Sequence, residues 1–346
     1  MTRPAPSPIP VDRDARVDWL RGLAALLILV HHLFAPFDWS ATPPLDRIAD
    51  VAAWCMLGVP VFFVLSGRCI GEAWLRGGSA ARFALRRVRR IYPPYLASLL
   101  VCLGVVVVRR LFVGVNDVAA LPATAPALLA TVTLATAPAT AVPTINWVYW
   151  SLTYEVVFYA LLACLLPLPS PRARLVAWLT LHAALCGLDL AGFAQPASPD
   201  FFLDNWSLFA LGAGLALLPG HRAWAFASLG IGALHLVALL VLGRAGLFHL
   251  VGLATAALLL LPGSVWSPRA DGLLPRIGVV SYSLYLIHVP IGVHLLLRPA
   301  AALLGPGLAG SCAALALAAF GSIVASLVFH RIAERPWMRP ALAPNP

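Results

Sequence analysis

Ten runs of about twenty apolar residues, separated by short loops that carry arginine, limit what this chain can fold into. The runs cover residues 17–36, 51–72, 91–108, 147–166, 175–190, 201–218, 223–242, 245–261, 277–297 and 308–329. A helix rises about 1.5 Å per residue, so about 20 apolar residues cross the ~30 Å hydrocarbon core of a bilayer. Only 11% of the 346 residues are charged, while 61% are hydrophobic. A soluble domain carries about 25% charged residues to cover its surface. This chain lacks the polar side chains for that and needs lipid around it. The expected fold is all-α: a polytopic transmembrane helical bundle of about ten helices with both termini cytoplasmic.

The first run has no clear small-residue cleavage site and is long enough to span, so it reads as a retained helix and not a removed signal peptide. Residues 1–16 form a short cytoplasmic tail, 17–337 the membrane unit, and 338–346 a C-terminal tail. The stretch 119–142 is apolar and uncharged, but Pro122, Pro126 and Pro138 interrupt it. It could be an eleventh span or a loop lying against the protein.

Arginine placement argues for ten spans. All 24 basic residues are arginine, giving a net charge of +10. With ten spans, only Arg47, Arg109, Arg110, Arg244 and Arg298 fall in outer loops, and Arg68 lies within a span. An eleventh span would divide the arginines almost evenly, against the positive-inside rule. Arg109 and Arg110 fit poorly either way. Trp19, Trp39, Trp74, Trp224 and Trp266 sit at or just beyond expected span ends, where an amphipathic ring prefers the interface. The arginines therefore set membrane orientation, and nucleic acid is not an expected partner. The six cysteines form no CxxC pair and nearly all fall in apolar runs, which suits packing better than a disulfide or metal site.

Polar residues inside spans are costly, so each is a functional candidate. Arg21 and His32 lie eleven residues apart on the first run, within about 20° of one helix face and about 16 Å apart along the axis. His32, next to His31, is suited to take a proton near neutral pH. Glu155 lies about 12 Å below the outer surface, at a depth expected to match His32, where a carboxylate could orient the imidazole. It could equally partner a buried arginine such as Arg68. Arg82, Arg86, Arg87, Arg89 and Arg90 crowd one cytoplasmic segment, and guanidinium forks suit phosphates as well as anionic lipid. The hydroxyls of Ser281, Tyr282 and Ser283, with His288 near mid-membrane, read equally as structural bonds or as a site. His182, His235, His249, His294 and His330 read as packing histidines.

These residues carry a resemblance. Asp18-Trp19-Leu20-Arg21-Gly22 with His32, then the run from Gly58 through Ser66-Gly67, then Arg89-Arg90-Ile91-Tyr92-Pro93 appear in order. Trp150-Ser151-Leu152 with Glu155, Ser281-Tyr282-Ser283-Leu284-Tyr285-Leu286 with His288, and Glu334-Arg335-Pro336 follow. In this order the chain resembles the membrane acyltransferase 3 family, whose members acylate envelope sugars and small glycosides in bacteria. Arg68 departs from the pattern, since an apolar or aromatic residue is usual there.

The resemblance implies an enzyme of the bacterial inner membrane, with the lipid bilayer, acyl-CoA and a sugar or glycoside acceptor as partners. It implies acyl-CoA, by family habit acetyl-CoA, as donor substrate from the cytoplasmic side, with no permanently bound cofactor and no metal. On this reading His32 and Glu155 are catalytic, and Arg21, Arg68, Arg86, Arg87, Arg89 and Arg90 bind the coenzyme. Ser66, Trp150, Ser151, Tyr282 and His288 contact substrate or hold the site. Two readings stay open beside it: a transporter or flippase of a lipid-linked sugar working through a proton relay, and a structural subunit of an envelope assembly.

Overall fold

The computed structural model describes residues 14–114, 118–193 and 201–338; both terminal tails lie largely outside these. All regular structure among the described residues is helical. The helices are α1 (Ala15–Phe34), α2 (Leu45–Trp54), α3 (Gly58–Leu75), α4 (Ala80–Val113), α5 (Ala125–Thr133), α6 (Trp150–Leu165) and α7 (Pro171–Leu190). They continue with α8 (Leu203–Leu217), α9 (Arg222–Val241), α10 (Leu247–Leu260), α11 (Leu273–Val279), α12 (Ser281–Ile287), α13 (Arg298–Leu304), α14 (Leu308–Phe329) and α15 (Arg335–Met338).

Among the described residues, eight helical stretches are long and apolar enough to cross a membrane. Each of the ten apolar runs is helical, but α8 and α10 have only 15 and 14 residues and span about 21–23 Å. α8 can be short because protein surrounds it: every residue except Asp204 is buried. Its neighbours interlock through glycine. A Cβ at Gly67 would strike the Phe209 carbonyl oxygen, and one at Gly212 the Val64 carbonyl oxygen. Where lipid is as apolar as leucine, such close backbone approach is a main source of helix association. Gly22 and Gly278 serve the α1–α11 contact in the same way, against Leu274 and Asp18. The outer faces carry the opposite pattern, with Leu100, Leu111, Phe112, Val241, Leu303 and Phe320 exposed as lipid-facing side chains.

The stretch 119–142 is not an eleventh span but a loop lying against the protein. Its one helix, α5, is nine residues and about 13 Å long. Val118 packs at the level of Val105 and Val106 on α4. Further on, the Tyr95 hydroxyl donates to the Thr131 carbonyl (2.7 Å) and the Tyr92 hydroxyl to that of Thr133 (2.9 Å). About 20 Å of α4 separates these levels, so the segment descends along α4 and climbs back to Asn146. Such a re-entrant loop needs its backbone groups satisfied internally. Thr131, Thr133 and Thr140 donate their hydroxyls to backbone carbonyls within the segment, and the Ala137 N–H reaches Val142. This segment returns the chain to the side on which it began, as the arginine pattern required.

Candidate active site

α1, α3, α6, α8 and α12, with the middle of α4, surround a cavity of about 80 Å³. Its apolar wall is Ile28, Val59, Phe62, Phe63, Leu152 and Phe209, and its polar groups are Arg21, Ser66, Arg90, Ser151, Glu155, Ser281, Tyr282 and Tyr285. Arg21 reaches it from the cytoplasmic half of α1, with its Nε buried and without a hydrogen-bond partner among the described residues. Arg90 is held firmly. Its Nη1 donates to Glu334 Oε1, and its guanidinium lies over the Tyr282 ring, 5.6 Å from the centroid. Glu334 is 1% exposed in its side chain. Its Oε2 accepts from the Ser283 hydroxyl (2.6 Å) and lies 2.9 Å from His330 Nδ1. One carboxylate at the end of α14 therefore fixes both the arginine of α4 and the serine of α12. The closing Glu-Arg-Pro pattern marked Glu334 in the sequence, but nothing there linked it to Arg90.

The other arginines of the cluster diverge, as helical spacing requires. Arg87 lies one turn before Arg90 and stacks over the Phe83 and Tyr159 rings. Arg86 is exposed and reaches the Gly77 carbonyl, while Arg82 and Arg89 are exposed on the cytoplasmic stretch of α4. Arg68 corrects the expectation made for it. It donates to Asp14 (2.8 Å) and Glu72 (3.1 Å), is neutralised by them, and does not line the cavity. Nor does it meet Glu155, whose hydrogen-bond partner is the Tyr159 hydroxyl one turn along α6.

Glu155 also does not orient His32. The Trp147 ring sits 5.0 Å from His32, which puts Glu155 two turns of α6 deeper, level with the Arg21–Ile28 portion of α1. The equal-depth expectation fails because His32 lies near the end of α1, level with the 3₁₀ turn Trp147–Tyr149 that precedes α6, while Glu155 lies within α6 itself. The imidazole that His32 meets is His288, with His288 Nε2 and His32 Nδ1 2.9 Å apart. His31 turns away and its Nδ1 donates to the Ala52 carbonyl (3.1 Å).

The partners of His288 fix both tautomers. Its Nδ1 lies 2.9 Å from the Leu284 carbonyl and 3.0 Å from that of Tyr285. A carbonyl can only accept, so His288 Nδ1 carries the proton and, in the neutral ring, Nε2 offers its lone pair. His32 Nδ1–H donates to that lone pair, which leaves His32 Nε2 unprotonated. A base with its second nitrogen held by an orienting partner is the arrangement that general-base catalysis uses. His288 opens a π-helical stretch, His288–Leu297. Such wide turns are frequent at functional sites, and the extra residue per turn re-aims the side chain.

The remaining candidates tighten the frame. The Tyr285 hydroxyl bonds the Val148 carbonyl and lies 3.1 Å from Ser151 Oγ. The Tyr282 hydroxyl donates to the Ile91 carbonyl, and the Tyr149 hydroxyl to Ser98. Trp150 does not face the cavity but packs edge-on against Phe63 and Tyr154. His182 is a core histidine between Trp206 and the Ser228 carbonyl. Separately, Asp189 holds Arg244 at 2.8 Å and lies 3.0 Å from His235, closing the outer ends of α7 and α9.

An all-helical bundle whose membrane interior holds buried guanidinium groups, a carboxylate and an oriented imidazole defines a multi-pass membrane protein built around a reaction or transport site. Residues 14–331 match the family described as an acyltransferase domain, and the chain belongs to this acyltransferase 3 family. No curated protein and no solved structure matches it. The protein is therefore a membrane acyltransferase.

Proposed function

We propose that the protein is a bacterial inner-membrane O-acyltransferase that moves an acyl group, acetyl, from acyl-CoA to a hydroxyl of a sugar or glycoside. The observation that carries this reading is the His32–His288 pair, which leaves His32 Nε2 as a base one turn of α1 beyond Ile28, which lies in the wall of a cavity that Arg21 and Arg90 also line.

Acyl-CoA approaches along α4, where Arg86, Arg87 and Arg89 offer guanidinium groups to its phosphates. Arg90 and Arg21 continue the positive path into the cavity, and the pantetheine arm follows the wall of Val59, Phe62 and Ile28. His32 Nε2 accepts the proton of the acceptor hydroxyl as its oxygen attacks the thioester carbonyl. The tetrahedral intermediate collapses with loss of the coenzyme thiolate, which takes the proton back from His32. Throughout, His288 Nε2 accepts from His32 Nδ1–H and so supports the imidazolium in transit. Glu155 is a positioning group here. It holds Tyr159, over whose ring Arg87 lies, and supplies the carboxylate that balances the cavity's guanidinium groups. Exclusion of water and alignment of the reactants supply much of the acceleration.

The test is acetyl-CoA turnover by the purified protein in nanodiscs, followed by thiol release. Removing a general base typically costs about 10²–10⁴-fold, so His32→Ala should lose at least about 100-fold while still inserting and binding coenzyme A. Near-normal turnover in that variant sinks the base assignment. Absence of both turnover and coenzyme A binding in the wild type favours a proton-coupled transporter instead.

A further inference from the structure

The hydroxyl protons along one wall of the cavity can be traced. The Tyr285 hydroxyl bonds the Val148 carbonyl, and the Tyr282 hydroxyl bonds the Ile91 carbonyl. A carbonyl only accepts, so both phenolic protons are spent on backbone. Ser151 Oγ lies 3.1 Å from the Tyr285 oxygen. That oxygen has no proton left to give, so Ser151 donates to it and keeps its own lone pairs for the cavity it lines. Glu155 stands one turn deeper on α6. Its Oε1 accepts from the Tyr159 hydroxyl, which leaves Oε2 to face the cavity that Glu155 lines. A carboxylate likewise only accepts. Ser151 and Glu155 therefore present two acceptors and no donor, about 6 Å apart along the axis of α6.

We propose that Ser151 and Glu155 form a two-rung ladder that accepts the two amide N–H groups of the donor's pantetheine arm, and so set specificity for the donor. This rests on the acyl-CoA reading and adds to it the groups that recognise the arm. The spacing fits at both rungs. Trp147 lies level with the base, its ring centroid 5.0 Å from that of His32. Ser151 follows one turn deeper, at about 6 Å, and Glu155 one turn deeper again. In an extended acyl thioester the first amide nitrogen lies four bonds, about 5 Å, from the reacting carbonyl carbon by standard bond lengths, and the second lies the same distance beyond the first. A carbonyl within reach of His32 Nε2 therefore brings its first N–H to Ser151 and its second to Glu155. Each rung is braced from behind, Ser151 by Tyr285 and Glu155 by Tyr159. Ile28, Val59 and Phe62 line the same cavity and offer an N–H nothing to bond. A buried acceptor left without its donor costs more than an ordinary hydrogen bond contributes. The site thus favours an arm with N–H groups in this register and rejects one without them.

The experiment measures binding to the full chain in nanodiscs, so it needs no acceptor. The probes are coenzyme A and two isosteric analogues, in which an ester oxygen replaces the first or the second amide N–H of the arm. Each analogue keeps the phosphates, the length and the thiol. Dissociation constants are measured for wild type, Ser151→Ala, Ser151→Thr and Glu155→Met. In the wild type each analogue should bind about tenfold more weakly than coenzyme A. In Ser151→Ala the first analogue should bind at least as well as coenzyme A, while the second keeps its penalty. Glu155→Met should show the reverse, and Ser151→Thr, which keeps the hydroxyl, should discriminate as the wild type does. Equal binding of all three probes by the wild type overturns the ladder without recourse to any variant. A penalty for the first analogue that persists undiminished in Ser151→Ala, or for the second in Glu155→Met, overturns that rung. Absence of coenzyme A binding to the wild type would instead overturn the acyl-CoA reading beneath it.

Discussion

At the scale of single residues, the chemistry depends on the order of one hydrogen-bond chain, from the Leu284 and Tyr285 carbonyls through His288 to His32. His288→Ala removes the acceptor for His32 Nδ1–H and lets the imidazole turn and change tautomer. We expect kcat to fall about 10–100-fold, with a shifted pH–rate profile for thiol release. His288→Gln, whose amide oxygen can accept the same proton, should recover part of that loss. Equal activity in the alanine and glutamine variants would argue that His288 only fills space. Glu334 is the other residue whose role the fold exposes. Removing one partner of a buried ion pair typically costs about 3–5 kcal/mol, so Glu334→Ala should lower the yield of folded protein. Glu334→Gln keeps the shape and loosens Arg90, and should raise the KM for acyl-CoA more than it lowers kcat. Steady-state kinetics on the glutamine variant checks this.

At the scale of elements, packing is set by glycine where helices cross and by leucine, valine and phenylalanine where they face lipid. Gly212→Val would drive a side chain into the Val64 carbonyl, and α8 has no lipid-facing side toward which to shift. We expect loss of folded protein, measured by thermal unfolding in detergent. Gly187, in the helix α7, has open space where a Cβ would go. Gly187→Ala should be neutral or gain about 0.5–1 kcal/mol from the better helix former. Similar damage from both substitutions would show that backbone proximity is not what the glycines provide. The Gly22, Gly58 and Gly67 positions inside the sequence patterns belong to this packing, while Ser66 beside them faces the cavity.

At the scale of the whole molecule, the cytoplasmic rim is closed by Asp14, which joins the start of α1 to Arg68 of α3. Burial pushes the Asp14 carboxyl up, but the hydrogen bond from Arg16 and the charge of Arg68 outweigh it and leave it below the ordinary carboxylate range. A carboxylate whose pKa is lower in the folded state stabilises above its unfolded pKa and loses that contribution as pH falls through the folded value. The stability difference between wild type and Asp14→Asn should therefore be full near neutral pH and shrink as the pH falls below the ordinary carboxylate range. Unfolding midpoints across that range test the sign; a difference that grows on acidification would reverse it.

Much of this architecture could be read from the chain alone, because lipid imposes rules that act on local sequence. Apolar run length fixes where helices form, arginine bias fixes their orientation, and the ordered motifs fix the family. The re-entrant segment was only half legible: its prolines and apolar character were visible, but its depth depends on Tyr92 and Tyr95 of another helix. The pairing of charges was not legible. Arg68, Arg90, Glu155 and Glu334 are all costly groups in a membrane, so each must find a partner, but spacing along a helix cannot say which partner another helix presents. The fold gave Arg68 to Asp14 and Glu72, Arg90 to Glu334, and His32 to His288. The local sequence decided that polar groups would be buried here. Only the packing of α1 against the π-helical turn after α12, with Trp147 alongside, decided which of them meet.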